Sequence, residues 1–447
     1  MNVLRKRWVL SITSFLFLPI GLYAPRGLAP LFVLTAVLLI FQELIERRTL
    51  QFMSWRFYLA AMAIPLYGAI SSIWSITPAV SIKMSVIIWG TIIIGILLAN
   101  NSILRDSRDK ILFEKWLIAG GLIGFTLLFA ENITNAGLSR FAYELFGLNR
   151  DIRLVNQFGP LGFNSGMSVA SLFLWPLGLT LFRRYKKTVS IPIIGFCFLG
   201  ISLGASTSPF LALIVGLATL VITGVAYRYG PKLLIIATVL FTLVAPAIPN
   251  LLPDPEDPQS NLSRYYALSD IHRYLIWNTT VSHIKNKPIF GHGLDSTRAL
   301  YSHEDKITYY IIENNTTGKS LTIYSEPILH HPQYDVDNKI HEKRKSIYSE
   351  PIPLHPHNAI LQLWLELGVV GAGFLAFFLF EILHLVQRVT QNRWEAAACY
   401  GIFTSGLTIS SLSYGIWQSW WLASLLLAAA FMAVIVQGSA NNDLPAQ

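Results

Sequence analysis

Polar residues are scarce in this chain, and a few of them have types and spacing suited to chemistry. HPHN at 355–358 stands directly before the apolar run AILQLWLELGVVGAGFL. His357 can act as a general base, because imidazole exchanges its proton near neutral pH. The pattern places His357 at the start of a helix, with Pro356 suited to the first turn. A helix N-terminus carries partial positive charge and unpaired N–H groups. That setting should keep His357 neutral and should favour a phosphate or sugar oxyanion nearby. The plainer alternative is an interfacial histidine that only caps the helix.

Arg273 lies in SRYYALSDIHRYLIWNTTVSHIKN, where a guanidinium can bind a diphosphate bidentately. It can equally sit on a solvated helix face, paired with Asp270 at i−3. Asn164, in FGPLGFNSGMS, opens an apolar run. Its side chain either faces a cavity or sits among small residues at a helix contact. Arg140, Arg150 and Arg153 form either a basic wall for an anionic headgroup or a snorkelling, lipid-facing loop. Glu366 and Glu381 fall in an apolar run, where ionisable residues are functional suspects. Glu366 is only about two to three turns from the helix start, within reach of water. His355 and His357 have no acidic cluster beside them, so no metal site is expected. No glycine-rich loop followed by Lys-Ser/Thr suggests nucleotide hydrolysis.

Most of the chain must serve to position these residues. Of 447 residues, 53% are hydrophobic and 13% charged. Soluble domains carry about 25% charged residues, so the expected class is an all-α polytopic membrane protein. A bilayer core needs about 20 apolar residues per helix. That criterion picks out about twelve spans, near 8–24, 28–45, 56–74, 82–99, 111–130, 161–182, 189–205, 209–226, 231–249, 358–387, 394–412 and 415–437. The net charge of +9 fits basic cytoplasmic loops. With no basic and aromatic residues interleaved on a soluble domain, nucleic acid is not expected as a partner. Cys197 and Cys399 both lie in apolar runs and form no disulfide or metal pattern.

Lys/Arg bias sets the expected orientation. With the N-terminus cytoplasmic, every inside connection carries at least two basic residues, as in RRYKK at 183–187, whereas the short outside ones carry few. Both termini then lie in the cytoplasm and the long loop lies outside. The expected divisions are helices 1–9 over 1–249 with an outer loop at 131–160, a large loop over 250–356, helices 10–12 over 357–437, and a tail over 438–447. A short interfacial helix is expected over Leu138–Leu148 and another over about 263–284. Lys287-Pro288 ends the second, and Gly291-His292-Gly293 forms a turn. Within the long loop, IYSEPILHHP at 323–332 recurs as IYSEPIPLHP at 347–356. Only the second copy runs on into His357-Asn358. The duplication therefore assigns His355 to the repeat and His357-Asn358 to the helix.

These motifs resemble the O-antigen ligase and Wzy-type polysaccharide polymerase superfamily. The carrying residues are His357-Asn358, Leu361-Gln362, Glu366 and Gly368 in an HN-x-x-L-Q-x-x-x-E-x-G pattern. Upstream are Arg273, Trp277, Pro288, Gly291 and Gly293, and FG-x-x-G-x-N ends at Asn164. The resemblance implies a periplasmic cavity at the inner membrane, with membrane lipid around it. It implies an undecaprenyl-diphosphate-linked glycan as donor and lipid A–core (ligase) or a second lipid-linked glycan (polymerase) as acceptor. It makes His357 the general base and Arg273 the partner of the diphosphate leaving group. Asn358, Arg153, Arg264 and Asn164 are the further substrate-binding residues, and no cofactor is implied. One departure is clear: where ligases of this kind carry a second arginine, this chain has Ser208-Pro209. Arg153, Arg140 or Arg264 would then supply that charge, or the substrate differs.

Two functions of other classes compete with this one. A transporter would show related halves and discontinuous helices near the midplane. A structural or assembly protein would use the IYSEPI repeat as its binding element.

Overall fold

A computed structural model describes residues 6–46, 53–104, 106–145, 163–252, 268–300, 307–313, 325–327, 343–349, 352, 354–390 and 392–437. Helices dominate because a bilayer core offers no water to backbone N–H and C=O groups, so each spanning segment must pair its own. Every predicted apolar run is one helix: α1 (Lys6–Tyr23), α2 (Leu28–Ile45), α3 (Trp55–Ile70), α4 (Pro78–Asn101), α5 (Ser107–Ile133), α7 (Asn164–Arg184), α8 (Lys187–Ser202), α9 (Thr207–Val225), α10 (Gly230–Val244), α12 (Ala359–Val389), α13 (Arg393–Leu412) and α14 (Ser419–Gln437). Among the described residues, two non-spanning helices lie between them, α6 (Gly137–Leu145) and α11 (Leu268–Asn286). Among the described residues, nine helices are long and apolar enough to cross a membrane, and α1 and α8 are shorter apolar ones. Leu34, Val86, Val221 and Ile236 point outward from them, as a lipid-facing surface requires. On α6, Leu138, Phe141 and Leu145 are exposed along one face, the pattern of an interfacial helix.

Among the described residues, two large apolar clusters and three smaller ones hold the helices together. One large cluster joins α1, α2, α5, α7 and α14 through Leu10, Phe17, Phe113, Phe173 and Phe431. Phe17 stacks on Phe173 at 5.5 Å and meets Phe431 edge-on at 5.4 Å. The other joins α3, α4, α10, α11 and α12 through Ile64, Ile88, Val281, Leu294, Leu361 and Leu375, with Trp417.

Polar groups gather at the two ends of the bundle. At one end, Arg7 pairs with Asp109 (3.1 Å), Arg184 with Glu114 (3.1 Å) and Arg183 with Glu395 (3.6 Å). There Lys110 and Arg183 also donate to the Ile435 carbonyl near the C-terminus of α14, where the helix dipole favours cations. The opposite end collects the start of α7, the start of α12, the end of α13 and the start of α14.

The long loop adds a small sheet to the helical fold, which the sequence reading did not expect. Strand β1 (Ile307–Glu313) lies between β2 (Ser325–Pro327) and β3 (Lys343–Ser349), antiparallel to both. Ile307, Thr308 and Tyr309 pair with Pro327, Glu326 and Ser325 on one side. The same three pair with Ser349, Tyr348 and Ile347 on the other. The two copies of the duplicated segment thus flank one strand.

Candidate active site

The site forms where α12 is broken. Gly368 leaves the helical conformation with φ 62° and ψ −162°, in the left-handed half of conformational space where glycine is favoured. A break inside an apolar helix frees backbone groups that lipid cannot satisfy. The turn after α11 satisfies them. His292 N–H donates to Leu365 O (3.0 Å) and Gly293 N–H to Glu366 O (2.8 Å). In return, Val369 N–H donates to Pro288 O (2.9 Å) and Val370 N–H to Ile289 O (3.4 Å). The approach is close: a Cβ on Gly368 would lie 2.2 Å from Ile289 O, and one on Gly291 (φ 69°) 2.4 Å from Glu366 O. The Pro-x-x-G-x-G and E-x-G motifs are therefore the two sides of one backbone joint.

Glu366 is the hub of this joint. It is fully buried, so it does not reach water, contrary to the expectation from its distance along the helix. One carboxylate oxygen accepts from Asp295 N–H (2.7 Å) and Trp417 Nε1–H (2.6 Å). The other accepts from Thr297 Oγ1 (2.5 Å) and Gln362 Nε2 (3.0 Å). Gln362 Oε1 accepts from Ile416 N–H (3.0 Å), which fixes the orientation of that amide. Four donors fill the acceptor capacity of a carboxylate. They come from the long loop, from α12 itself and from the α13–α14 connection.

His357 stands above the joint, one residue before the helix cap. Asn358 is the cap: its Oδ1 accepts from Ile360 N–H (3.1 Å) and Leu361 N–H (3.0 Å). Its side-chain oxygen, expected at the substrate, is thus held by the helix. The cap also occupies two of the N–H groups expected to stay open for an oxyanion. Pro356 lies outside the helix instead of in its first turn. His357 adopts φ 51°, and its Nδ1 lies 2.9 Å from the carbonyl of Ser413. A carbonyl only accepts, so Nδ1 carries the hydrogen and Nε2 keeps the lone pair. Burial, with Arg273 nearby, holds the imidazole below the ordinary histidine range, although the Ser413 contact pulls the other way. Burial is the largest cause and favours the neutral imidazole.

His355 belongs to this site, although the duplication had assigned it to the repeat. His357 N–H donates to His355 Nδ1 (3.2 Å), and the two rings lie 4.5 Å apart. Its Nε2 lies 2.9 Å from the Gln418 amide. Burial, then His357 and Arg298, push its imidazole down to about 4.

Helix α11 brings Arg273 in. Trp277, one turn further along, donates from Nε1 to Pro356 O (3.0 Å), which pins this helix to the residue before His357. Asn164 comes from the other side. Its carbonyl accepts from Tyr414 OH (3.3 Å) and Ser168 Oγ (3.0 Å). Its Oδ1 is buried without a hydrogen-bond partner among the described residues. Tyr414 directly follows Ser413, so one short connection touches both Asn164 and His357. Arg153 and Arg264 lie outside the described residues. Arg140 turns its guanidinium back onto the Thr134 and Asn135 carbonyls. Ser208 and Pro209 are buried at the start of α9 and bring no cation. Glu381 is buried in the far half of α12, beyond the break.

Sequence reasoning missed Ser413, Trp417, Gln418, Asp295 and Thr297. Their signal was weak: a short polar and aromatic connection, SYGIWQS, and the run GHGLDST.

A family model described as O-Antigen ligase matches residues 192–326. That span includes Arg264 and Arg273 and ends before His357. Among curated proteins, one from Rickettsia conorii named "Putative polysaccharide ligase" is 24% identical, over 74% of this chain and 68% of its own length. Proteins of the same description from Rickettsia typhi and Rickettsia felis are 23% identical (72% of this chain, 67% of theirs) and 24% identical (82% and 78%). The model and these relatives support the O-antigen ligase superfamily for this chain.

Proposed function

We propose that this chain is a membrane glycosyltransferase that moves a glycan from an undecaprenyl-diphosphate carrier to a sugar hydroxyl on lipid A–core. The reaction takes place on the periplasmic side of the bacterial inner membrane, with both termini in the cytoplasm. One observation carries the reading: Nδ1 of His357 is fixed on the Ser413 carbonyl, which leaves the lone pair on Nε2 to serve as the base, and Arg273 acts on the same ring. The gathering of Arg7, Lys110, Arg183 and Arg184 at the other end of the bundle supports the orientation.

In the proposed step, Nε2 of His357 takes the proton of the acceptor hydroxyl as its oxygen attacks the anomeric carbon. The bond from that carbon to the diphosphate oxygen breaks, and its electron pair leaves on the diphosphate. Arg273 stabilises the charge that develops there. The products are the inverted glycoside, undecaprenyl diphosphate and a proton released from the imidazolium. Asn164 offers its unpaired Oδ1 to a sugar hydroxyl. Asn358 holds the helix end that carries His357, and Arg153 and Arg264 add charge from neighbouring loops. No metal or nucleotide takes part.

One feature favours a second acceptor. Ser208 and Pro209 put hydroxyl and apolar groups where a ligase of this kind would have an arginine, which fits a polymerase using a second lipid-linked glycan. A transporter is disfavoured because the broken backbone of α12 is already paired by the loop and is not left open for a passing solute.

The test is glycan transfer by the purified protein from a defined lipid-linked donor, with lipid A–core or a second repeat unit as acceptor. His357→Ala should lower kcat about 10²- to 10⁴-fold with thermal stability near that of the parent. Transfer that survives this change would remove the base assignment. Transfer only to the repeat unit would make the protein a polymerase.

A further inference from the structure

Two guanidinium groups bear on the histidine pair. Arg273 acts on His357 from α11, and Arg298 acts on His355 from the turn after the joint. Arg298 is positioned by more than chance contact. Its Nε lies 3.4 Å from Asp295 Oδ1, and Asp295 is buried while the arginine side chain is 55% exposed. Burial raises the Asp295 carboxyl and Arg298 draws it back down, so the two groups depend on each other. Both flanks of the turn are anchored to Glu366, Asp295 through its N–H and Thr297 through its hydroxyl.

A chain of contacts leads from this turn to the histidines. Glu366 bonds Gln362. The backbone of Gly415 then lies between Gln362 and His355: a Cβ there would sit 3.0 Å from Gln362 Oε1 and 2.9 Å from His355 Cγ. The Asp295 contact engages Nε, and a guanidinium carries four further N–H donors on its terminal nitrogens. They form a fork that matches phosphate oxygens.

We propose that Arg298, presented by Asp295, is a second phosphate-binding residue of the site, taking the half of a diphosphate that Arg273 does not hold. This rests on the proposed glycosyl transfer for its ligand. A diphosphate leaving group carries more than one negative charge, and a second guanidinium on the turn anchored to Glu366 lets each phosphate meet its own cation. Arg298 binds the donor and takes no part in activating the acceptor.

The test uses the full-length protein in lipid nanodiscs, with donor and acceptor KM, kcat, and binding of inorganic pyrophosphate followed by tryptophan fluorescence. Arg298→Gln should raise the donor KM and the pyrophosphate Kd about 10- to 100-fold and leave the acceptor KM unchanged. Arg298→Lys, which keeps a point charge without the fork, should fall between. An effect on acceptor KM alone, or pyrophosphate binding equal to the parent, overturns the proposal. If Arg298→Gln does not fold, Arg298→Lys decides: a parental donor KM and pyrophosphate Kd reject the residue. If the parent protein transfers no glycan, the catalytic reading fails by itself, and pyrophosphate binding by the variants still judges Arg298.

Discussion

The aromatic cluster of α1, α5, α7 and α14 and the joint around Glu366 are both buried, yet they hold the chain by different means. In the cluster, Phe17, Phe113, Phe173 and Phe431 meet as rings, and each contact is weak and replaceable. In the joint, a carboxylate, an amide, an indole, a hydroxyl and ten backbone groups answer one another in a fixed pattern. Lipid tails are as apolar as phenylalanine, so packing alone gives modest preference for one arrangement over another. A paired polar network in lipid has few alternatives, so it holds the helix end that carries His357 in one arrangement.

That contrast can be broken by substitution. The largest effect is expected for Glu366→Leu, which orphans the Asp295, Trp417 and Gln362 donors at about 1–3 kcal/mol each. Little monodisperse protein should survive size-exclusion chromatography, and a well-folded variant would show that the network is dispensable. Gly368→Ala comes next. Its left-handed conformation and the nearby Ile289 carbonyl should cost about 2–4 kcal/mol, seen as a large fall in melting temperature. Phe173→Leu in the aromatic cluster should cost only about 1 kcal/mol and leave transfer intact. If it equals Gly368→Ala, the two regions do not differ as described.

Acidity sharpens the comparison with a smaller, graded effect. His355 is pushed from 6.5 to about 4 in the folded chain, so the unfolded chain binds more protons in that window. Stability should therefore rise with pH between about 4 and 6.5 and flatten above, as read by thermal unfolding in detergent. His355→Gln should reduce that slope. His357 is also lowered, so the acid limb of the rate should lie below the ordinary histidine range. Arg273→Gln should move that limb upward by removing one of the causes.

Much of the helical fold was legible because length and hydropathy act locally. Each apolar run became one helix, and α6 and α11 stand close to where periodicity put them. The pairing of distant segments was not legible. Glu366 looked able to reach water because distance along a helix says nothing of what covers it, and the covering turn lies 71 positions away. His355 looked like repeat filler because duplication records how a residue arose and not what it touches. Asn358 was rightly tied to the helix, but Ser413, which orients His357, belongs to a connection with no motif of its own.

The break in α12 also bears on how the protein is made. A helix with an interior interruption is a poor passenger for a lipid environment while its freed groups are unpaired. Ribosomes release the chain from the N-terminus, so Pro288–Gly293 emerges before Leu365–Val370. The strip of backbone that closes the break is thus already synthesised when the broken helix arrives. Order of synthesis supplies the partner first, and a circular permutation that opened the chain between Gly293 and Leu365 would take that advantage away.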